Sequence, residues 1–262
     1  MGNINLLRRL DFAWRLFGTG LSFSLFGIGG LFLSLCVLAP LNIVVRSPQR
    51  RRQVAQRLIA RGFSLFLWFL QSIGVMRMEI AGRDILATER GTLVVANHPT
   101  LIDVILLVAH TRAALCVIKG DILRNPFMRG VVGAAGYIPN DADPEALIRD
   151  CARALKDGNN VIMFPEGSRT KIGLPRTLQR GVANIALRTA APIRIVTITC
   201  EPRTLYKGQK WFDIPPRRWL IRAEVRGRIE TATQFGELTP TLGSRRLTEH
   251  LSNIFTELLG DG

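Results

Sequence analysis

From Leu16 to Val45 the chain has no Asp, Glu, Lys, Arg or His, a run of 30 residues in which the apolar side chains are broken only by glycine, serine, threonine, Pro40 and Asn42. A helix of about 20 apolar residues crosses a hydrocarbon core, so the run is long enough to cross once with tilt or to enter as a broken pair of helices. A secretory signal fits less well, because the stretch is too long for its apolar region and Asn42-Ile43-Val44-Val45-Arg46 is not a small-residue cleavage site. A second uncharged run, Gly62 to Met76, is 15 residues long and rich in Phe, Leu and Trp. It is short for a span and reads as an interfacial or re-entrant helix. The link between the two runs is basic, with Arg46, Arg50, Arg51, Arg52, Arg57 and Arg61, whereas the other flank has only Arg8, Arg9 and Arg15. That asymmetry puts the link on the cytoplasmic side if the first run spans once, and it would equally hold the chain against anionic lipid. The expectation is a membrane-anchoring part with a basic linker, residues 1–78, and a domain, residues 79–262, on the cytoplasmic face of the inner membrane.

Net charge bears on partners. With 35 Lys and Arg against 20 Asp and Glu the chain carries +15, which favours nucleic acid, acidic lipid, phosphorylated substrates or an acidic carrier protein. The aromatic residues lie mostly in the apolar runs rather than among the basic ones, which argues against a base-stacking platform, and no nucleic-acid partner is expected. The cysteines, Cys36, Cys116, Cys151 and Cys200, are far apart and lack metal-ligand spacing, so free buried thiols are expected and no metal.

Beyond Val75 short strands alternate with helices. Strands are expected at 75–80, 93–96, 114–118, 161–164, 193–199 and 219–229, with a turn at 81–84. Helices are expected from Pro99 to about His110, from Asp143-Pro144-Glu145 to Gly158, from about Thr177, and at the C-terminus through Leu247, Leu251, Ile254, Phe255 and Leu258. Gly130, Gly133 and Gly136 lack the order of a dinucleotide fingerprint and suggest close packing of a short helix or loop. The pattern predicts an α/β domain whose mostly parallel, mixed sheet is flanked by helices, attached to an N-terminal membrane-embedded helical segment. In such sheets ligands bind beyond the carboxyl ends of the strands.

Two strand ends run straight into polar loops. Leu93 to Ala96 leads into Asn97-His98-Pro99-Thr100-Leu101-Ile102-Asp103. A residue before proline is pushed out of the α region, so His98 is extended and the Asp103 carboxylate can reach back to its imidazole. Such a pair suits a general base whose second nitrogen is held by the carboxylate; the competing reading is a helix cap with an acid in the first turn. Val161 to Phe164 leads into Pro165-Glu166-Gly167-Ser168-Arg169-Thr170. This loop is either a surface turn or an anion site, in which Arg169 supplies a bidentate fork, Gly167 lets the backbone approach, and Ser168 or Thr170 adds a hydroxyl.

Asn-His-x4-Asp followed some sixty residues later by Phe-Pro-Glu-Gly-Ser-Arg resembles the paired blocks of the 1-acylglycerol-3-phosphate acyltransferase family of glycerolipid acyltransferases, over roughly Thr92 to Thr199. The resemblance implies transfer of a fatty acyl group from an acyl-CoA or acyl-carrier-protein thioester to the hydroxyl of a lysophospholipid, in phospholipid biosynthesis and without cofactor or metal. It implies His98 as the base, Asp103 as its orienter, and Glu166, Gly167 and Arg169 as ligands of the acceptor's phosphate. Asn97, Lys119, Ser168 and Thr170 complete the expected substrate-binding set. An arginine common in relatives is missing from Gly136-Tyr137-Ile138-Pro139-Asn140, so the head group is bound differently or is not lysophosphatidic acid. The rival classes are a thioester hydrolase using the same pair and a basic, non-enzymatic membrane-surface protein.

Overall fold

The computed structural model describes residues 2–140, 143–170, 173 and 175–260. Helix α1 (Gly2–Phe32) continues into a π-helical segment, Leu33–Leu38, and a one-turn α2 (Leu41–Val44). Pro40 has no N–H to donate, and the bond closing the preceding turn runs from the Ala39 N–H to the Ser34 carbonyl, an i to i−5 step. Leu6 to Val44 is long and apolar enough to cross a membrane, and most of its apolar side chains, Phe17, Ile28, Phe32 and Leu35 among them, are exposed. Apart from Gly18 and Leu38, its buried residues are polar: Arg15, Thr19, Ser22 and Ser34. The Arg15 guanidinium donates to the carbonyls of Pro215 (2.7 Å) and Pro216 (2.9 Å), pinning α1 to the domain along one stripe while the rest of its surface stays bare.

From Pro48 on, the basic stretch expected as a linker is the first half of α3 (Pro48–Ser72), a single 25-residue helix that also contains most of the second apolar run, Gly62 to Ser72. Ser47 caps it and Pro48 fills its first position. Its hidden face, Ala55, Ile59, Phe63, Leu67 and Leu70, is spaced at three and four residues and belongs to the same core as the sheet. The arginines occupy its other faces. The boundary drawn at residue 78 falls inside β1 (Met76–Ala81).

The remaining elements are α4 (Arg83–Thr88), β2 (Leu93–Ala96), α5 (Asp103–His110), β3 (Ala114–Ile118), α6 (Asp121–Arg124), α7 (Arg129–Ala135), β4 (Ile138–Pro139), α8 (Pro144–Lys156), β5 (Asn160–Met163), α9 (Gly181–Thr189), β6 (Ile193–Glu201), β7 (Trp219–Ile229), α10 (Thr231–Phe235) and α11 (Pro240–Leu259). Two helices begin later than the sequence suggests. Helix α5 starts at Asp103 rather than Pro99, because the Asp103 side chain closes a turn on Thr100 first. Helix α9 starts at Gly181 rather than near Thr177, since the Gln179 N–H is taken by the Pro165 carbonyl. The turn at 81–84 opens a short helix, α4, that was not expected. Gly130 and Gly136 have separate reasons: a Cβ on Gly130 would stand 2.5 Å from Ser34 Oγ, and Gly136 ends α7 at φ +74°.

Seven strands form one mixed sheet in the order β1-β7-β6-β2-β5-β3-β4. Strands β6, β2, β5, β3 and β4 are parallel; β7 is antiparallel to β6, and β1 is parallel to β7. The carboxyl ends of β2, β5 and β6 therefore share an edge with the amino ends of β7 and β1. Side-chain alternation along the strands divides the interior in two. Val94, Ala96, Cys116, Ile162, Val196 and Ile198 face α3, α5 and α7, and Leu93, Val95, Leu115, Val161, Ile193 and Ile195 face α8, α9 and α11.

Candidate active site

The site is built where β2 and β5 end side by side. Strand β2 is wholly buried, and Asn97 carries its pairing one residue further with a side chain: Nδ2 donates to the Ile198 carbonyl and Oδ1 accepts from the Ile198 N–H, each at 2.7 Å. The backbone of His98 is then clamped by the other loop. Its N–H donates to Glu166 Oε1 (3.1 Å) and its carbonyl accepts from the Thr170 N–H (2.7 Å). The Thr170 hydroxyl donates to the same Glu166 oxygen at 2.9 Å.

His98 Nδ1 lies 2.8 Å from Asp103 Oδ2. Asp103 is fully buried and also accepts from the Thr100 N–H (2.7 Å) and the Thr100 hydroxyl (2.5 Å). Three donors satisfy a carboxylate that burial alone would make costly. Nδ1 being engaged, Nε2 is the nitrogen left to act, and the ring is held by stacking on Phe164 with centroids 4.1 Å apart. His98 lines an apolar cavity of about 370 Å³ whose walls include Phe23 and Phe26 of α1, Phe63 and Phe66 of α3, Ile105, Val132, Tyr137 and Trp219. Burial holds the Tyr137 phenol well above its ordinary value, and its oxygen has no hydrogen-bond partner.

The second loop is mostly occupied in holding the first. The Glu166 side chain is 8% exposed, with Arg176 Nε 3.9 Å from the oxygen that also receives His98. Gly167 sits at φ +67° in a turn closed on the Phe164 carbonyl, a conformation glycine adopts at least cost. The Ser168 hydroxyl donates to the neighbouring Arg169 carbonyl (3.3 Å), and Arg169 Nη1 donates to the carbonyls of Leu205 (2.9 Å) and Tyr206 (3.0 Å). Lys119 is exposed at the end of β3, between the cavity-lining Ile118 and Ile122, and among the described residues no hydrogen bond or ion pair joins its side chain to either loop. Asn140, where relatives' arginine was expected, is exposed just past β4 with its N–H on the Ile118 carbonyl.

The structure thus brings together Asn97, His98, Asp103, Glu166, Gly167, Ser168, Arg169 and Thr170 and leaves Lys119 apart. It adds Thr100, Phe164 and Arg176. Thr100 stands three residues before Asp103, a spacing typical of local hydroxyl-to-carboxylate turns; Arg176 has no local signal. Among the described residues no cluster of His, Cys, Asp and Glu could hold a metal ion. Cys116, Cys151 and Cys200 are buried and free, and burial pushes each thiol up to about 12, which leaves no thiolate nucleophile there. Cys36, expected to be buried, is exposed on the apolar N-terminal stretch.

Comparisons with known proteins agree with one another. Residues 77–201 match the family model described as Acyltransferase. The chloroplastic 1-acyl-sn-glycerol-3-phosphate acyltransferase of Arabidopsis thaliana is 22% identical over 188 residues, covering 70% of this chain and 52% of the relative. The 1-acyl-sn-glycerol-3-phosphate acyltransferase of Cocos nucifera is 30% identical over 111 residues, 40% of this chain and 36% of the relative. The chain spans about half the length, or less, of the curated relatives it matches. The crystal structure of the 1-acyl-sn-glycerophosphate acyltransferase of Thermotoga maritima superposes with a TM-score of 0.69 over 96% of this chain and 97% of that one, at 19% identity, a likeness of fold.

Proposed function

We propose that the chain is an acyltransferase, as the match of residues 77–201 to the Acyltransferase family model supports, and that it moves a fatty acyl group from a thioester to the hydroxyl of a lysophospholipid, most plainly 1-acylglycerol-3-phosphate, in phospholipid biosynthesis. The observation that carries this reading is His98 Nδ1 on the buried Asp103 carboxylate at 2.8 Å, with the same imidazole lining an apolar cavity. A hydroxyl is a poor nucleophile near neutral pH until a base takes its proton, whereas a thioester carbonyl is already activated. In the proposed reaction His98 Nε2 takes the acceptor's hydroxyl proton as the oxygen attacks the thioester carbon. The C–O bond forms, the tetrahedral intermediate collapses with breakage of the C–S bond, and the departing thiolate takes the proton back from the imidazolium. Asp103 keeps the tautomer and balances the imidazolium charge in between. The apolar cavity has the character needed for an acyl chain.

The donor is acyl-CoA or an acyl carrier protein, both anionic and both suited to a chain of charge +15. The exposed apolar surface of Leu6 to Val44 supports attachment to a membrane, with the acidic lipids of the cytoplasmic face meeting the basic half of α3. Arg169 remains the proposed ligand for the acceptor's phosphate; since Nη1 is bound to two carbonyls, the phosphate would meet the other nitrogens of the fork.

The test is an assay of the purified full chain with acyl-CoA and acyl carrier protein thioesters, with and without a panel of lysolipids. Acyl ester appearing on the lysolipid is expected. Free fatty acid released at the same rate whether or not an acceptor is present would overturn the proposal in favour of a thioester hydrolase using the same base.

A further inference from the structure

A second cavity lies at the opposite end of the sheet, against the amino ends of β3 and β5, where Ala114 and Asn159 form part of its wall. It has a volume of about 660 Å³ and is lined by Arg57, Arg61, Arg90 and Arg112, with Asp157 as its single carboxylate. Among the described residues none of the four arginines has a carboxylate within 4 Å. Thr111 lines the same cavity, is 5% exposed, and its hydroxyl has no hydrogen-bond partner. A buried hydroxyl without a partner is uncommon in a folded protein and asks for an explanation.

The segments bearing these groups are rigidly tied. Fully buried Asn160 donates from Nδ2 to the carbonyls of Glu89 and Arg112, both at 2.8 Å, and accepts the Thr92 N–H on Oδ1 at 3.1 Å. One side chain therefore fixes the backbone beside Arg90 and at Arg112 to the same point. On the other wall Arg57 and Arg61 stand four residues apart on α3, and the next positions on that face are Leu65 and Trp68, 63% and 61% exposed. At 1.5 Å of rise per residue, Arg61 lies about 6 Å before Leu65 along the helix and Arg57 about 12 Å before it. An apolar and tryptophan patch with arginines one and two turns behind it matches the order of hydrocarbon, interface and phosphate at a membrane surface.

From this we infer that the cavity is a phosphate-binding site, remote from His98, whose ligand is the phosphate of an anionic phospholipid headgroup. The guanidinia supply charge-assisted hydrogen bonds, and the Thr111 hydroxyl donates to a phosphate oxygen. The inference is independent of the acyltransferase reading, because neither cavity shares a residue with the other.

The experiment uses the full chain in a neutral detergent and follows its thermal midpoint with dihexanoyl phosphatidylglycerol, with a neutral glycosyl lipid of the same chains, or with inorganic phosphate, since a ligand that binds only the folded state raises the midpoint in proportion to its occupancy. Phosphatidylglycerol should stabilise the wild type and the glycosyl lipid should not. In Arg57→Gln/Arg61→Gln the concentration needed should rise by roughly ten- to a hundredfold, the worth of one or two hydrogen bonds to a charged group, while acyl transfer without added phospholipid is unchanged. Both arginines are exposed, so the double variant should fold; Thr111→Val, which keeps the shape and removes the donor, gives an independent reading and should lose about threefold or more. Inorganic phosphate acting as well as the lipid would support the site and make its source the aqueous phase. Equal responses of wild type and both variants to phosphatidylglycerol, or a glycosyl lipid as effective as the phospholipid, would overturn it.

Discussion

The two ends of α5 each have a histidine, and comparing them separates chemistry from composition. His98 precedes the helix and its Nδ1 meets the Asp103 carboxylate at 2.8 Å; His110 ends the helix and its Nδ1 meets the Leu106 carbonyl, also at 2.8 Å. The same atom is held at the same distance, by a different partner. A carboxylate favours the imidazolium that a general base must become, whereas a carbonyl fixes the tautomer without a full opposing charge. The other side of the ring differs too. His98 lines an apolar cavity, while His110 is buried and its pKa is lowered, first by desolvation and then by the nearby Arg83 charge, against the opposing effect of its backbone hydrogen bond. In the proposed reaction one end of the helix moves a proton, and the other keeps one in place.

The largest effect that could break this comparison comes from removing the imidazoles in turn. His98→Ala should lower acyl transfer by roughly 10²- to 10⁴-fold, the usual worth of general acid–base catalysis, with the thermal midpoint little changed. His110→Gln should keep near-normal turnover. Equal losses in the two variants, measured as initial rates with one donor and one acceptor, would erase the distinction. Asp103→Asn follows, with a drop of about 10²-fold or more from a wrong tautomer and an unbalanced imidazolium.

A smaller effect is expected from Glu166, which touches the His98 backbone rather than its ring. Glu166→Ala leaves the His98 N–H and the Thr170 hydroxyl without their acceptor, and a misplacement of the imidazole by about 1 Å is worth up to roughly 10²-fold. Glu166→Gln keeps an acceptor oxygen and should recover most of that rate, a rescue that a phosphate ligand of the acceptor would not give. Arg169→Lys comes below it. One ammonium cannot reproduce the fork that spans Leu205 and Tyr206, so KM for a phosphate-bearing acceptor should rise by about tenfold with less change in kcat.

What was legible in the sequence follows the range of the forces involved. Strands β2, β3 and β7 start and stop where their apolar runs or alternation do, because burial of adjacent residues is a local signal. His98 and Asp103 were readable because only four residues, one of them a proline, separate them. The first turn of α5 was not, since the Pro99 rule says where a helix can start, while the Asp103 carboxylate decides by binding the Thr100 N–H and hydroxyl. The basic stretch from Arg46 to Arg61 concealed a helix because its arginines outnumber the few residues, Ala55 and Ile59 among them, that are buried. The cavity was invisible for a different reason: its walls come from α1, α3, α7 and the start of β7, elements spread over some 200 residues that only the fold brings to His98. The Arg169 contact with Leu205 and Tyr206 bridges a shorter but still non-local gap, 36 and 37 residues.

The smallest expected effect is on stability against pH, and it returns to His110. Its pKa in the folded chain lies below the ordinary value of 6.5, chiefly because burial penalises the imidazolium. The unfolded chain therefore binds this proton at a higher pH than the folded chain does. Between the two values the unfolded state holds more protons, and stability rises with pH wherever that is so. The contribution of a neutral His110 is thus fully present above about 6.5 and is lost as pH falls from there through the lowered folded value. A single site cannot give a slope steeper than one proton, so the trend is shallow. In denaturant titrations of the full chain in detergent, His110→Gln should flatten the decline below pH 6.5 while His98→Ala leaves this part of it in place. A wild-type profile that is level over that range, or one flattened by His98→Ala alone, would mean that the two histidines have been assigned to the wrong ends of the comparison.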